Sequence, residues 1–150
     1  MNLMKKLITI FCVIFWAGLI GGISFLEAPL KFQAPGITIP LGLGIGQLVF
    51  QALNKIEIVL LIIILVCSLP APLKNFHSIL LFSVTILLIA DTFWLLPILD
   101  ERAKLVLAGN APIKSYHHIL YIIIDTIKFL SLIVLGFLSL KSLYHEKRYS

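Results

Sequence analysis

Four long apolar stretches, separated by short polar segments, dominate the pattern of the chain. They cover residues 7–26, 44–69, 76–99 and 118–140, and a helix needs roughly 20 apolar residues to cross a bilayer. Pro70 and Pro72 separate the second stretch from the third, and closely spaced prolines end a helix. The pattern predicts an all-α membrane protein in which four transmembrane helices form a bundle, a single integral membrane domain over residues 1–150.

Two segments permit a different interpretation. Lys5 and Lys6 precede the first apolar stretch as they would in a signal peptide, but the stretch is as long as a full span and no small-residue cleavage motif follows it. The segment GITIPLGLGIGQ alternates like a strand, but an isolated strand leaves its backbone without partners in lipid. We therefore expect a retained first helix, and a second helix that begins between Pro40 and Gln47.

The composition agrees with a membrane location. Hydrophobic residues make up 60% of the chain and charged residues 13%, the mean hydropathy is +1.08, and soluble proteins are about 45–50% apolar. The net charge of +5 does not indicate nucleic acid, because the basic residues lie at the chain ends and between the apolar stretches and form no basic face. The lipid bilayer is the expected partner.

The positions of lysine and arginine predict the orientation, because cytoplasmic loops carry more of them. If both termini lie in the cytoplasm, the inner side holds Lys5, Lys6, Lys74, Lys141, Lys147 and Arg148. The outer side then holds Lys31, Arg102, Lys104 and Lys114. We expect an N-in/C-in protein in a bacterial inner (cytoplasmic) membrane.

Three of the seven carboxylates, Glu57, Asp91 and Asp125, fall inside the predicted spans. A charge near the middle of a bilayer costs at least about 2–3 kcal/mol, so each acid needs a partner or a water-filled cavity. Helical spacing creates two polar faces, one on the fourth span (His118, Tyr121, Asp125, Lys128) and one on the second (Gln47, Gln51, Asn54, Glu57). We expect these faces to meet across the bundle, joined by Asp91 from the third span.

The depth of the polar residues indicates a pocket. At about 1.5 Å per helical residue, Asp125 lies about 10 Å and Lys128 about 15 Å below His118, and both polar spans continue without charge beyond that depth. We expect an outward-facing intramembrane pocket whose ligand- or ion-binding residues are Asn54, Glu57, Asp91, His118, Tyr121, Asp125 and Lys128. Its rim would hold Glu27, Lys31, Asp100, Arg102 and His117.

One lysine cannot neutralise three acids, so we expect a protonated acid, or a cation or polar ligand among them. The leading hypothesis is binding or transport of a small ligand, a cation or a proton. The first alternative is an accessory or structural subunit whose polar network only fixes helix packing. The second is a membrane enzyme that acts on a lipid or quinone head group, but no serine or cysteine stands at the predicted mouth, which favours a non-catalytic role.

Cofactors and partners are less defined by the sequence. His117, His118, Glu27, Asp91 and Asp100 carry suitable metal-ligand atoms, but their spacing follows no metal motif, so we predict no cofactor and leave a metal open.

Two glycine pairs, Gly18/Gly22 and Gly42/Gly46, are spaced four residues apart. Such pairs allow close helix approach, either within the bundle or against a second copy or another membrane protein.

The chain resembles small bacterial four-helix membrane proteins of the transmembrane-protein-205-like family in FLEAPLKFQAPGITIPLGLGIGQLVFQALNKIE, LLPILDERAKLVLAG and YHHILYIIIDTIKFLSLIVLG. The first shared feature is the exit from the first span, with Pro29 and Phe32. The second is a Gly…Phe…Asn…Glu pattern in the second span, formed by Gly46, Phe50, Asn54 and Glu57. An arginine after the third span, Arg102, and a histidine that opens the fourth, His118, complete the resemblance. The resemblance implies the four-helix fold and carries no established chemistry. Asp125 and Lys128 lie outside the shared pattern.

Overall fold

The computed structural model describes residues 2–68, 76–110 and 116–149 of the chain, with side chains up to His145. This part is all-α and consists of four long helices: α1 (Leu3–Gln33), α2 (Ile39–Ser68), α3 (Phe76–Leu107) and α4 (His117–Tyr149). Each is long and apolar enough to cross a membrane, so the prediction of a four-span helical bundle is confirmed. The predicted turn at Pro70 and Pro72, and Lys74, Lys114, Lys147 and Arg148, lie outside the described residues or side chains.

The helices extend beyond the apolar stretches that predicted them. The start of α2 also differs from the prediction, because this helix begins at Ile39, before the predicted region. Pro40 occupies its first turn, where the missing backbone N–H is not needed and the fixed φ suits a helix. The Thr38 hydroxyl oxygen accepts a hydrogen bond from the Leu41 N–H at 3.3 Å and so caps this turn.

Two of the helices widen locally into π-helical turns. These segments cover Gly21–Glu27 in α1 and Asp91–Leu95 in α3, and Pro29 and Pro97 follow them closely. A proline inside a helix donates no hydrogen bond and clashes with the carbonyl four residues earlier, so the chain relieves the clash by widening the preceding turn. The widened turns carry Ser24 and Asp91, and they rotate both residues relative to a regular helix.

The bundle is apolar on its surface and charged in its interior. α1 packs against α2 and α4, while α3 packs against α4 and, through its second half, against α2. Lys128 and Asp125 are fully buried, whereas Phe93 is 78% and Leu48 70% exposed. A water-soluble protein has the opposite distribution, so the exposed apolar side chains contact lipid, and the chain is a multi-pass membrane protein.

The two glycine pairs have different surroundings. A Cβ at Gly42 would overlap the ring of Phe32, and one at Gly46 would lie 2.9 Å from the Lys31 Nζ. The Gly42/Gly46 face is therefore filled by α1 of the same chain and is not open to another protein. Nothing within 4 Å would meet a Cβ at Gly18 or Gly22, and contact of that pair with a partner stays a prediction.

Candidate functional site

One lysine and three carboxylates form a compact charged cluster in the middle of the bundle. The Lys128 Nζ lies 2.7 Å from Asp91 Oδ2, 2.8 Å from Asp125 Oδ1 and 3.0 Å from Glu57 Oε1. Asp125 and Lys128 are one turn apart on α4, while Glu57 comes from α2 and Asp91 from α3. All four side chains are at most 1% exposed. The expectation that the polar faces meet across the bundle is confirmed for these residues, which we call the Lys128 cluster.

Helix α1 supplies hydrogen-bond donors to the cluster. The Trp16 Nε1 donates to Glu57 Oε1 at 2.7 Å, and the Ser24 hydroxyl donates to Asp125 Oδ2 at 2.5 Å. Tyr121 is buried one turn before Asp125 on the same helix. All four helices therefore contribute to one polar network, and α1 holds two of its carboxylates in place from the opposite side.

The oxygens of Asp91 are less well satisfied than those of the other acids. Both Asp91 oxygens are buried without a hydrogen-bond partner among the described residues, and Oδ2 forms the ion pair with the Lys128 Nζ. The neighbouring Thr92 hydroxyl accepts from Asn54 Nδ2 at 2.9 Å and donates to the Leu88 carbonyl at 2.7 Å, so it is not available to Asp91. An unpaired carboxylate oxygen in a buried site is costly unless it carries a proton or meets a mobile ligand.

The cluster holds more acid than base. Three carboxylates surround one ammonium group, and its three N–H donors match the three acids in number. If all three acids were ionised, two negative charges would lack a counter-charge. Carboxylates that share a site disfavour one another's ionisation, and isolated charges are costly in the membrane. The cluster therefore approaches neutrality only if some of its acids carry protons or a cation lies among them.

A cavity of about 880 Å³ lies at the end of the bundle where α1 and α3 end and α2 and α4 begin. Most of its lining is apolar, including the rings of Phe25, Phe32 and Phe50. Ser24 and Tyr121 also line it, and the Ser24 hydroxyl donates to Asp125. The cavity therefore comes within one side chain of the Lys128 cluster, and its volume lies in the range of small-molecule sites, about 300–1,000 Å³.

Three of the five predicted rim residues line this cavity, and two do not. Lys31, Asp100 and Arg102 line it, while Glu27 reaches it only through its ion pair with Lys31, at 3.3 Å. Gln51 Nε2 donates to Asp100 Oδ2 at 2.6 Å. His117 is half-buried and is not among the lining residues of this cavity.

The predicted binding residues divide into two groups. Tyr121 and His118 face the cavity, but His118 is exposed and is not part of the buried network. The others stand behind the cavity wall: Asn54, Glu57, Asp91, Asp125 and Lys128 are not among its lining residues. The buried network and the cavity are therefore adjacent compartments, which meet at Ser24 and Tyr121.

Sequence reasoning missed Trp16 and Ser24. A signal existed for both, because an indole N–H inside an apolar span requires an acceptor, and Ser24 stands five residues before Pro29, where a widened turn relocates it.

Metal binding gains no support from the arrangement. Over the described ranges, no group of three histidine, cysteine, aspartate or glutamate residues is placed to hold a metal ion, and Asp91 lies in the cluster with Lys128.

No protein-family model, curated protein or solved structure matches the chain. The resemblance to the transmembrane-protein-205-like family therefore stays a prediction, and the site is interpreted from its own geometry.

Proposed function

We propose that this multi-pass membrane protein binds and releases a proton at the Lys128 cluster, and couples that proton to the binding or transport of a small ligand or cation in the adjacent cavity. The observation that carries the proposal is the excess of acid: Glu57, Asp91 and Asp125 all contact the single Lys128 ammonium. We place the cavity toward the outer face of a bacterial inner membrane, with both termini inside, on the distribution of lysine and arginine.

Two further features support a proton site. Asp91 Oδ1 is buried without a partner in the described part of the chain, so it offers a position for the proton. Ser24 lines the cavity and connects it to Asp125, and hydroxyl groups both donate and accept hydrogen bonds. A proton that enters the cavity therefore has a hydrogen-bonded route to the cluster.

The alternative is a cluster that only fixes helix packing, as an accessory subunit would require. The packing alternative is supported by hydrogen bonds that link the helices to one another, such as Trp16–Glu57 and Asn54–Thr92. Buried polar groups can specify register without further function. The two functions differ in one measurable property, since a packing device keeps a constant protonation state.

The test is an infrared titration of the protein in lipid nanodiscs between about pH 5 and pH 9, the range around neutrality in which a functional proton site exchanges. A protonated carboxylic acid has a C=O stretching band distinct from that of a carboxylate. We expect a carboxylic-acid band that diminishes as the pH rises. Glu57→Gln, Asp91→Asn and Asp125→Asn then identify its carrier, because one of them removes the titrating band.

Asp100→Asn is the matched control, since Asp100 lies at the cavity mouth and bonds to Gln51 outside the cluster. It should leave the titrating band in place. A carboxylic-acid band that is absent, or that stays constant over the whole pH range, would reject the proton site and leave the packing device as the function of the cluster.

A further inference from the structure

The charges around the cavity are unevenly distributed between its mouth and its inner end. At the mouth, Lys31 is paired with Glu27, and Asp100 and Arg102 both line the opening, so positive and negative charges balance there. His118 is the remaining titratable group at the mouth within the described residues. The mouth therefore selects for neither sign of charge.

The inner end of the cavity is walled by Ser24 and Tyr121, and the acidic Lys128 cluster lies directly behind this wall. The charged groups of the cluster are Glu57 from α2, Asp91 from α3, and Asp125 and Lys128 from α4. The described contacts of α1 with these groups come from the neutral side chains of Trp16 and Ser24. With one base and three acids, this end attracts a cation whenever more than one acid is ionised, and charges interact strongly where water is excluded.

The aromatic walls suit a cation with apolar substituents. The Lys31 ammonium already lies 5.2 Å from the centre of the Phe50 ring and 5.7 Å from that of Phe32, both of which line the cavity. Such distances are typical of cation–π contacts, which favour ammonium ions over aromatic faces. Phe50 also packs edge-on against Tyr121, with ring centres 5.1 Å apart, so the aromatic surface continues from the mouth to the inner end.

The inner hydroxyl groups are compatible with the same class of ligand. Ser24 directs its proton to Asp125, which leaves the lone pairs of its oxygen as acceptors toward the cavity. An acceptor stabilises a donor or a positive charge, and it repels an anionic oxygen. These features therefore favour a cation with apolar substituents: the apolar walls, the aromatic rings, the hydroxyl acceptor and the surplus acid.

We infer that the cavity binds a lipophilic organic cation, an ammonium- or phosphonium-type ion with apolar substituents, in competition with a proton at the Lys128 cluster. This inference rests on the proposed function, because the competing proton is the one assigned to the cluster. The ion lies with its positive centre toward Ser24 and Tyr121 and its substituents against the phenylalanine rings. No covalent step is involved.

The test uses two probes of similar shape and opposite charge, tetraphenylphosphonium and tetraphenylborate, with the full chain in lipid nanodiscs. Saturable binding is measured by equilibrium dialysis against empty nanodiscs. We expect tetraphenylphosphonium to bind at least about tenfold more tightly than tetraphenylborate, a difference that one buried charge can produce. Its affinity should rise with pH across the titration range of the carboxylic-acid band, by up to about tenfold per pH unit for one exchanged proton.

Variants link the binding to the cavity. Phe50→Leu keeps an apolar wall but removes the ring under the cation, and should weaken tetraphenylphosphonium binding by about three- to tenfold. Phe137→Leu is the matched control, because Phe137 is 66% exposed on the surface of α4, and it should bind like the unmodified protein. Equal weakening in both variants would overturn the inference.

The outcomes separate this inference from the proposed function. Equal binding of both probes, preference for tetraphenylborate, absence of saturable binding, or cation affinity that does not change with pH would each overturn the lipophilic-cation site. A titrating carboxylic-acid band would then still support the proton site. If the band does not titrate, the proposed function fails and the competition fails with it.

Discussion

Lys128 and Asp91 lie on different helices, yet the Lys128 Nζ and Asp91 Oδ2 are 2.7 Å apart, the shortest of the three ion pairs that this lysine makes. Asp91 begins the π-helical turn of α3, which sets the direction of its side chain. The shortest of these three ion pairs therefore depends on a local departure from regular helix.

Replacing Lys128 by methionine should destabilise the protein strongly. Lys128→Met keeps much of the side-chain length but leaves three buried acids without their counter-charge, and breaking a buried pair in this way costs about 3–5 kcal/mol. The free energy of unfolding in mixed detergent micelles containing SDS measures the loss. Lys104→Met is the control, because Lys104 is exposed on α3, and its effect should stay within about 0.5 kcal/mol.

Neutralising one acid should be far milder than removing the base. In Asp91→Asn the amide oxygen takes the place of the carboxylate oxygen 2.7 Å from the Lys128 Nζ, while one surplus negative charge disappears. We expect the free energy of unfolding to change by less than about 1.5 kcal/mol, the range of an ordinary hydrogen bond. The same detergent unfolding assay compares both variants, and a loss as large as that of Lys128→Met would show that the cluster needs all three acids.

The indole of Trp16 should stabilise the cluster through one hydrogen bond. Trp16→Phe removes the donor to Glu57 Oε1, 2.7 Å away, and hydrogen bonds to charged groups contribute about 1.5–3 kcal/mol. Part of the loss will come from the smaller ring. Trp94→Phe has the same change in size at a residue that is 50% exposed, so the difference between the two unfolding free energies isolates the buried site.

Two glycine-to-alanine substitutions should have opposite effects. Gly42→Ala forces the Phe32 ring to move, because the new Cβ would overlap it, and overpacking costs about 1–3 kcal/mol. Gly18→Ala meets nothing within 4 Å and should gain up to about 1 kcal/mol from the better helix propensity of alanine. Thermal unfolding of both variants in the same detergent gives the signs, and destabilisation by Gly18→Ala would indicate that its face is occupied by a partner.

The sequence alone determined the four helices and the residues that belong inside them. Hydrophobic length and the 3.6-residue period are local properties, so they identify spans and helix faces without knowledge of the partner helix. For the same reason the pairing of Asp125 with Lys128, one turn apart on α4, is readable directly from their spacing. The excess of acid over base within the spans is likewise a matter of composition.

Only the tertiary structure decided how these groups meet. The convergence of Glu57 and Asp91 on the Lys128 Nζ depends on how each helix is rotated and shifted, and two widened turns before Pro29 and Pro97 change that rotation. Ser24 reaches Asp125 through one of these turns, and the cavity stands beside the cluster although a single pocket was predicted. Contacts between helices depend on packing along their whole length, and no local sequence pattern contains that information. The members of the cluster could therefore be predicted from the sequence, but its geometry could not.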